Sequence, residues 1–347
     1  MFLGLKSFKR FLKAFVPLAL LVSSLTYFVY AKLTGFTPVQ LPSVEEMKAY
    51  GPLLLPLLYI AAFLVRSGAA LALAFLAAGF IRVMLPRHVL LNYLSSGRRA
   101  SYLLAALLSP LLTVCSMCAI PVFAGLVYAG AGIGPAITFL LVAPAANIMA
   151  IILTVDILSL RIAVARLVAA ILVGVFVGYA VARTGWARRV EERYRFVETR
   201  QHWAVEVGKP LCERLWLSFK FSCHLARSLL PYLLLGIAVV GYVEAYLPPK
   251  MVAAYLSGCL GVVLGAVMGA PMYTPTMVEV VLVDALRHLG MSPSAVPAFL
   301  LGGPMISIPS MMAVSRIIGW RLVLLYTVLA VLGAIVAGLF YQFVGDV

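Results

Sequence analysis

Runs of about 20 consecutive apolar residues recur along the whole chain, and they limit its fold more than any other feature. A helix rises about 1.5 Å per residue, so each run is long enough to cross the hydrocarbon core of a bilayer. Of the 347 residues, 64% are hydrophobic and 11% are charged, whereas soluble domains have roughly 25% charged residues. We therefore predict an all-α polytopic protein of the cell membrane with roughly 8–10 membrane segments. A soluble enzyme, a disordered chain and a secreted disulfide scaffold are excluded.

The chain is strongly basic, with a formal charge of +15 from 27 Lys+Arg and 12 Asp+Glu. On a soluble protein this excess would suggest nucleic acid as a partner. In a membrane protein, basic residues in short loops set the topology and meet anionic lipid headgroups. The predicted partners are therefore membrane lipids and a small-molecule substrate, with no nucleic acid, and a homo-oligomer is left open.

Four parts follow one another along the chain. Residues 1–50 have a basic N-terminus and are predicted to form a retained membrane helix followed by a polar loop. Residues 51–183 are predicted to form a first membrane repeat, and residues 212–347 a second one. The basic linker between them, residues 184–211, is predicted to be cytoplasmic because positively charged loops stay on that side.

The two repeats become visible when the second half is laid over the first with Gly130 on Gly290, because the halves then align without gaps. Between 126 and 178 there are 13 identities in 53 positions. Apolar composition alone would match Leu and Ala, but not glycine, proline and arginine in one register. The other matched pairs include Pro144 with Pro304, Arg161 with Arg321, and Gly178 with Gly338.

The number of apolar segments poses a parity problem for the topology. Both the N-terminus and the linker are predicted to be cytoplasmic, yet five apolar segments lie between them. One segment, either 101–128 or 134–156, is therefore expected to enter and leave on the same side. The halves would then be inverted repeats, as in many transporters, with broken backbone near the substrate. The prolines predicted to break the helices are Pro121, Pro144, Pro304 and Pro309.

The centre of the first half carries a C-x-x-C motif, Cys115 and Cys118. Thiolates bind soft ions and trivalent arsenic centres, and two thiols at this spacing can also form a redox dithiol. The alternative is that both cysteines are small apolar residues that suit helix packing. A zinc site would need two further ligands, so no metal and no cofactor are predicted.

The matching region of the second half carries hydroxyl groups and one carboxylate. Tyr273, Thr274 and Thr276 are predicted to contact the substrate, and Glu279 is predicted to be the proton carrier. An acid within a membrane segment indicates function because an unpaired charge there is costly. The alternative is a glutamate that is only hydrogen-bonded to a neighbouring helix.

A second break in each half places a polar residue at matching positions, Asn147 and Ser307. Such breaks face each other at the bilayer midplane in inverted-repeat transporters, so both residues are predicted to line the substrate site. Helix packing through small residues is an equally good explanation. Arg161 and Arg321 are predicted to anchor helices at the membrane interface.

These motifs resemble those of the ArsP-type, or YraQ-like, predicted permeases. The resemblance covers roughly residues 55–345 without the linker, and it is carried by 115–125, 134–147 and 304–310. It implies a polytopic inner-membrane permease, and some members of the family are implicated in the efflux of trivalent organoarsenicals. The residues on its motif positions are Cys115, Ser116, Pro121, Pro144, Asn147, Tyr273, Pro304 and Pro309.

The sequence departs from the family pattern at two points. The second cysteine often follows two positions after the first, where this chain has Met117, and Cys118 comes one step later. Many members also have an acid at the positions of Ile148 and Ser310. Proton coupling would then depend on Glu279.

The predicted function is a permease, not an enzyme, that moves a small solute by alternating access. We expect proton-coupled efflux of a thiol-reactive species such as a trivalent arsenical. Two alternatives stay open at this point. The first is an intramembrane thiol oxidoreductase that uses Cys115 and Cys118. The second is a non-transporting membrane subunit that anchors a partner protein.

Overall fold

The computed structural model describes residues 54–84, 92–110, 115–200, 211–246, 258–269 and 277–345, with Tyr50, Gly51, Leu256 and four isolated positions before Tyr50. Within this part of the chain the regular structure is entirely α-helical. The all-α polytopic fold class is thereby confirmed. The predicted N-terminal membrane helix and the loop after it lie outside the described residues, apart from those few positions.

In the described part of the chain, six helices precede the linker, one lies in it and six follow it. The first half holds α1 (Leu55–Met84), α2 (Arg99–Leu108), α3 (Ser116–Tyr128), α4 (Ile133–Ala145), α5 (Ile148–Ile157) and α6 (Leu160–Ala182). The linker holds α7 (Gly185–Arg200). The second half holds α8 (Leu211–Tyr246), α9 (Gly258–Met268), α10 (Val278–His288), α11 (Ala295–Met305), α12 (Ile308–Ile318) and α13 (Trp320–Gly345).

Five elements of the described chain are long and apolar enough to cross a membrane: α1, α6, α8, α13 and the α4–α5 pair. The α11–α12 pair, bent by 45°, would be a sixth crossing. Helices α2, α3, α9 and α10 have 10 to 13 residues. They rise only about 15–20 Å, roughly half of the hydrocarbon core. The described part therefore has fewer full crossings than the predicted segment count, because four of its helices are only half-length.

Helices α2 and α3 form a re-entrant hairpin. The amide of Gly132, which follows α3, donates a hydrogen bond of 2.7 Å to the carbonyl of Leu94, which precedes α2. Because the two ends of the hairpin touch, the segment enters and leaves on the same side. Of the two re-entrant candidates, 101–128 is thus the hairpin, and 134–156 forms the crossing pair α4–α5.

Helices α9 and α10 form an equivalent hairpin in the second half. The amide of Ser292, after α10, donates to the carbonyl of Leu256, before α9, at 3.1 Å. Each hairpin ends on a glycine with positive φ, Gly130 at 96° and Gly290 at 104°. In both, the next amide donates to the carbonyl five residues earlier, at 2.9 and 3.0 Å. This is a helix C-cap that glycine adopts without a Cβ penalty.

The packing of the two halves follows the same correspondence. Corresponding helices pair with each other: α1 packs on α8, α4 on α11 and α6 on α13. The contact of α3 with α12 has its counterpart in that of α10 with α5. Such reciprocal contacts are those a twofold axis generates. They are what an inverted duplication predicts, and the duplication itself remains a prediction.

Close helix packing depends on glycine at matching positions. A Cβ atom on Gly178 would lie 2.6 Å from the carbonyl oxygen of Gly134, and one on Gly338 would lie 2.8 Å from that of Ser294. Both distances are too short for a real Cβ contact. Small residues therefore let the backbones approach, as is usual between membrane helices.

The end of the molecule where α2 begins is called the linker end, because α7 lies there. Arg214 at the start of α8 donates to the carbonyl of Val83 near the end of α1, at 3.3 Å, so these ends also meet there. Described arginines concentrate at this end, and the positive-inside rule predicts that it is cytoplasmic. They include Arg82, Arg98, Arg99, Arg183, Arg188, Arg189, Arg193, Arg214 and Arg321.

The hairpin geometry predicts from which side of the membrane two loops are accessible. Gly97 and Pro293 are exposed and flank the first and the second hairpin, at opposite ends of the molecule. In a cysteine-free background, we expect Gly97→Cys to react with an impermeant maleimide from the cytoplasmic side and Pro293→Cys from the other side. Labelling in right-side-out and everted vesicles measures this. If both positions react from one side, the two hairpins do not enter from opposite faces.

Candidate functional site

The tip of the first hairpin carries the two cysteines of the C-x-x-C motif. Cys115 is the N-cap of α3, with φ −70° and ψ 162°, and its sulfur accepts a hydrogen bond from the amide of Cys118 at 3.4 Å. The two Sγ atoms lie 2.8 Å apart in a thiol–thiol hydrogen bond. Both cysteines are free, Cys118 is buried and Cys115 is partly exposed. The structure therefore brings both sulfurs to one side of the first helical turn.

This pair offers two soft ligands and few others nearby. Ser116, the first residue of α3, is also buried at the tip. Among the described residues, no three His, Cys, Asp or Glu side chains are grouped closely enough to hold a metal ion. The arrangement suits a species that two thiols can bind by themselves, or a thiol–disulfide reaction.

The tip of the second hairpin carries a buried ion pair. Glu279 lies in the first turn of α10, and its carboxylate contacts the guanidinium Nη2 of Arg166 in α6. The Arg166 side chain is fully buried and that of Glu279 is 3% exposed. Of the described carboxylates, Glu279 alone is buried. Its charge is thus compensated by a residue from the other half of the chain.

Arg166 makes two further hydrogen bonds, both within the first half. Its Nε donates to the carbonyl of Ala145 at 2.8 Å, and its Nη1 donates to the hydroxyl of Thr154 at 3.3 Å. Ala145 is the last residue of α4, so its carbonyl lies at the break between α4 and α5. The guanidinium therefore links the broken helix of one half to the hairpin of the other.

Asn147 and Ser307 start the helices that follow the two breaks. The side chain of Asn147 accepts from the amide of Met149 at 3.0 Å and caps α5. Ser307 forms a capping box with Ser310 at the start of α12, with bonds of 3.2 and 3.3 Å. Both side chains are buried. Each side chain therefore caps the helix that follows its break. The predicted contact of both residues with a substrate stays a prediction.

The predicted prolines differ in their local role. Pro121, Pro144 and Pro304 lie inside α3, α4 and α11, whereas Pro309 is in the first turn of α12, where proline favours helix initiation. The predicted substrate residues Tyr273, Thr274 and Thr276 lie outside the described residues.

The linker helix α7 clamps both halves at the linker end. Glu191 accepts from the amide of Ile133 at 2.7 Å and from the hydroxyl of Ser96 at 2.5 Å. Tyr194 donates to the carbonyl of Ile317 at the end of α12, at 2.7 Å, and burial raises the pKa of this hydroxyl above its ordinary value. A cavity of about 280 Å³ opens beside these two side chains. The clamp holds the start of α4 and the end of α12 together.

Comparison with known proteins gives the family. Residues 56–343 match the family ArsP_1, described as "Predicted permease". The chain belongs to this family of predicted permeases. The permease is 28% identical over 328 residues to the UPF0718 protein MJ0584 of Methanocaldococcus jannaschii, with 78% of this chain and 90% of the relative covered. It is 26% identical over 276 residues to the UPF0718 protein YraQ of Escherichia coli, with coverage of 78% and 76%. No solved structure matches.

These matches confirm the predicted family and, together with the apolar helices, a multi-pass membrane permease. Neither relative's name states a substrate. What the permease moves must therefore be argued from its own residues.

Arg166 is the residue of the permease site that the sequence interpretation missed. A signal was present, since an arginine within the second turn of the 23-residue apolar helix α6 is as unusual as an acid there. Only the folded chain shows its partner, because 113 residues separate Arg166 from Glu279.

Proposed function

We propose that the permease exports a small thiol-reactive solute of the trivalent arsenical class by alternating access coupled to protons. The observation that carries this proposal is the pair of free thiols, 2.8 Å apart, at the tip of a re-entrant hairpin. A membrane permease needs a binding site at depth in the bilayer, and Cys115 and Cys118 lie at the start of the half-length helix α3.

Binding would be an exchange of ligands on arsenic without a change in oxidation state. An arsenical of the type RAs(OH)₂ meets the thiols of Cys115 and Cys118. Two As–O bonds break and two As–S bonds form, and each thiol proton leaves with a hydroxide as water. Hydrolysis on the other side reverses the exchange and returns both thiols. Arsenic and sulfur are both polarizable, so the pair prefers this ligand to hard ions.

The architecture supports alternating access. A hairpin and a broken pair of helices occur in each half, and the two hairpins enter from opposite ends. Inverted repeats of this kind can exchange conformations so that a central site faces each side in turn. In our proposal Asn147 and Ser307 line the path between the breaks, with Ser116, Tyr273, Thr274 and Thr276 near the tips.

Glu279 is the proposed proton carrier. Proton-coupled transport needs an ionisable group that changes charge during the cycle, and Glu279 is the buried carboxylate of the described membrane helices. The Arg166 guanidinium compensates the charged form. A proton bound to Glu279 would neutralise the carboxylate, which would then no longer need the charge of Arg166.

A growth assay tests the proposed substrate class. In an arsenic-sensitive host without its own efflux systems, we expect the permease to protect against methylarsonous acid, a trivalent methylarsenical. The double variant Cys115→Ser/Cys118→Ser at matched membrane levels should not protect, because serine oxygens are poor ligands for arsenic. Cys223→Ser, which changes an exposed cysteine of α8, should protect fully. Absence of protection by the well-expressed natural sequence would contradict the proposal.

Two further assays separate this proposal from the alternatives. A thiol oxidoreductase predicts that Cys115 and Cys118 alternate between thiol and disulfide during activity, which alkylation of the thiols before and after denaturation would detect. A non-transporting anchor predicts no solute movement by the purified chain in liposomes.

A further inference from the structure

The ion pair of Arg166 and Glu279 is a direct polar contact between the two halves. Arg166 lies in α6 and Glu279 in α10, and both side chains are almost fully buried. A buried ion pair is stable only while both partners keep their charge, because either charge alone would be costly away from water. The contact between the halves therefore depends on the charge of Glu279.

Arg166 also donates a hydrogen bond to a backbone carbonyl at the break between α4 and α5. In an unbroken helix the carbonyl of Ala145 would accept from the amide of Met149, but that amide donates to the side chain of Asn147. The Nε of Arg166 supplies the missing donor at 2.8 Å. Thr154, which donates back to Ala150 at 2.6 Å, receives the Nη1 bond. The position of the guanidinium and the geometry of the break are therefore coupled.

The fold does not require charges at this place. The corresponding positions of the other half hold Tyr326 for Arg166, Val314 for Thr154 and Ala119 for Glu279, and all three are buried. The corresponding positions of the other half thus carry an aromatic ring and two apolar side chains. A charge pair that packing does not need, at one of two corresponding places, indicates a function.

The surroundings of Glu279 leave Arg166 as its charged partner among the described residues. Helix α11, which packs on α10, carries no titratable side chain, and Asp156 on α5 is exposed. On α6, Arg161 is exposed as well. Within α10 itself, Asp284, Arg287 and His288 lie in the second half of the helix, where Asp284 and His288 pair at 3.8 Å.

We infer that Arg166 competes with the proton for Glu279, so that the ion pair latches the halves together until protonation of Glu279 releases it. This inference rests on the proposed function and deepens it, since it names the residue that transmits protonation to the helix break. When Glu279 takes a proton, Arg166 loses its counter-charge and moves toward another acceptor or toward water. The carbonyl of Ala145 then loses its donor, and the α4–α5 break opens. Arg166 is thus a positioning residue for the transport cycle.

Hydrogen–deuterium exchange of the full-length permease in lipid nanodiscs tests the latch without any substrate. Exchange at the amides of residues 146–149 is normalised at each pH to the rate of an unstructured peptide. As the pH is lowered and Glu279 is protonated, we expect protection in the natural sequence to fall at least about tenfold. Glu279→Gln, which mimics the protonated acid, should be weakly protected at every pH. Asp284→Asn, the matched carboxamide on the same helix, should behave like the natural sequence.

A second variant keeps the test decisive if Glu279→Gln does not fold. The double variant Arg166→Gln/Glu279→Gln removes both charges and leaves hydrogen-bonding groups, and its exchange should not depend on pH. Unchanged pH dependence in either variant, or pH-independent protection in the natural sequence, overturns the latch.

The result is separable from the proposed substrate. If methylarsonous acid is not transported but the pH-dependent opening is lost in Glu279→Gln, the latch stands and the substrate class falls. If the arsenical is transported and opening is unaffected by Glu279→Gln, the latch falls and the permease proposal stands.

Discussion

Replacing Arg166 by methionine is expected to destabilise the permease by about 3–5 kcal/mol, because Glu279 would be left as an unpaired buried charge. The change also removes the donor to the carbonyl of Ala145. We expect most of the protein to be lost from the monodisperse fraction in size-exclusion chromatography. Denaturant unfolding of the surviving fraction measures the loss of free energy.

Two further variants show whether the cause is the unpaired charge. Arg161→Met removes an exposed arginine from the same helix and should change stability by less than about 0.5 kcal/mol. Arg166→Met combined with Glu279→Gln should recover at least about 2 kcal/mol, because no buried charge remains. If the double variant is no more stable than Arg166→Met, the ion pair does not account for the loss.

Cys115→Ser is expected to weaken the binding of methylarsonous acid to the purified permease at least about a hundredfold, which corresponds to roughly 2.7 kcal/mol. The substitution changes one atom and leaves a side chain that can still cap α3, so the fold should be unaffected. Isothermal titration calorimetry should give one arsenical per chain for the natural sequence. Cys118→Ser should have an effect of similar size, because the arsenical is held by both sulfurs.

Cys223→Ser is the control for this loss. Cys223 is a free, exposed cysteine on α8, and its removal should leave both affinity and stoichiometry unchanged. Equal affinities for the natural sequence and for Cys115→Ser would show that arsenicals bind elsewhere on the chain.

Much of the fold could be predicted because membrane helices follow from local apolar length. The alignment of the two halves predicted corresponding positions, and the observed bounds agree: Ile148–Ile157 aligns with 308–317, and the helix found there is Ile308–Ile318. The odd number of apolar segments between two ends predicted to be cytoplasmic indicated a re-entrant segment. The sides were assigned from the basic charges of the loops. Neither argument could choose between 101–128 and 134–156, because the choice depends on a contact between Gly132 and Leu94.

The candidate site could be predicted only in part. The proximity of the two sulfurs could be predicted because residues three apart lie on the same side of a helical turn. Such a contact depends only on the local sequence. The partner of Glu279 depends on how α6 and α10 meet across the two halves, which no local pattern contains. The linker is a further case, since its charges predicted a basic loop, whereas residues 185–200 form a helix. Glu191 on that helix caps α4 through a contact 58 residues away.

Everted membrane vesicles energised by a proton gradient, with an acidic interior, test proton-coupled arsenical export most directly. We expect vesicles with the natural sequence to accumulate methylarsonous acid. An uncoupler should abolish this accumulation, and Cys115→Ser should abolish it without loss of protein from the membrane. Accumulation at the level of empty vesicles, with the folded permease present, would contradict the proposed export.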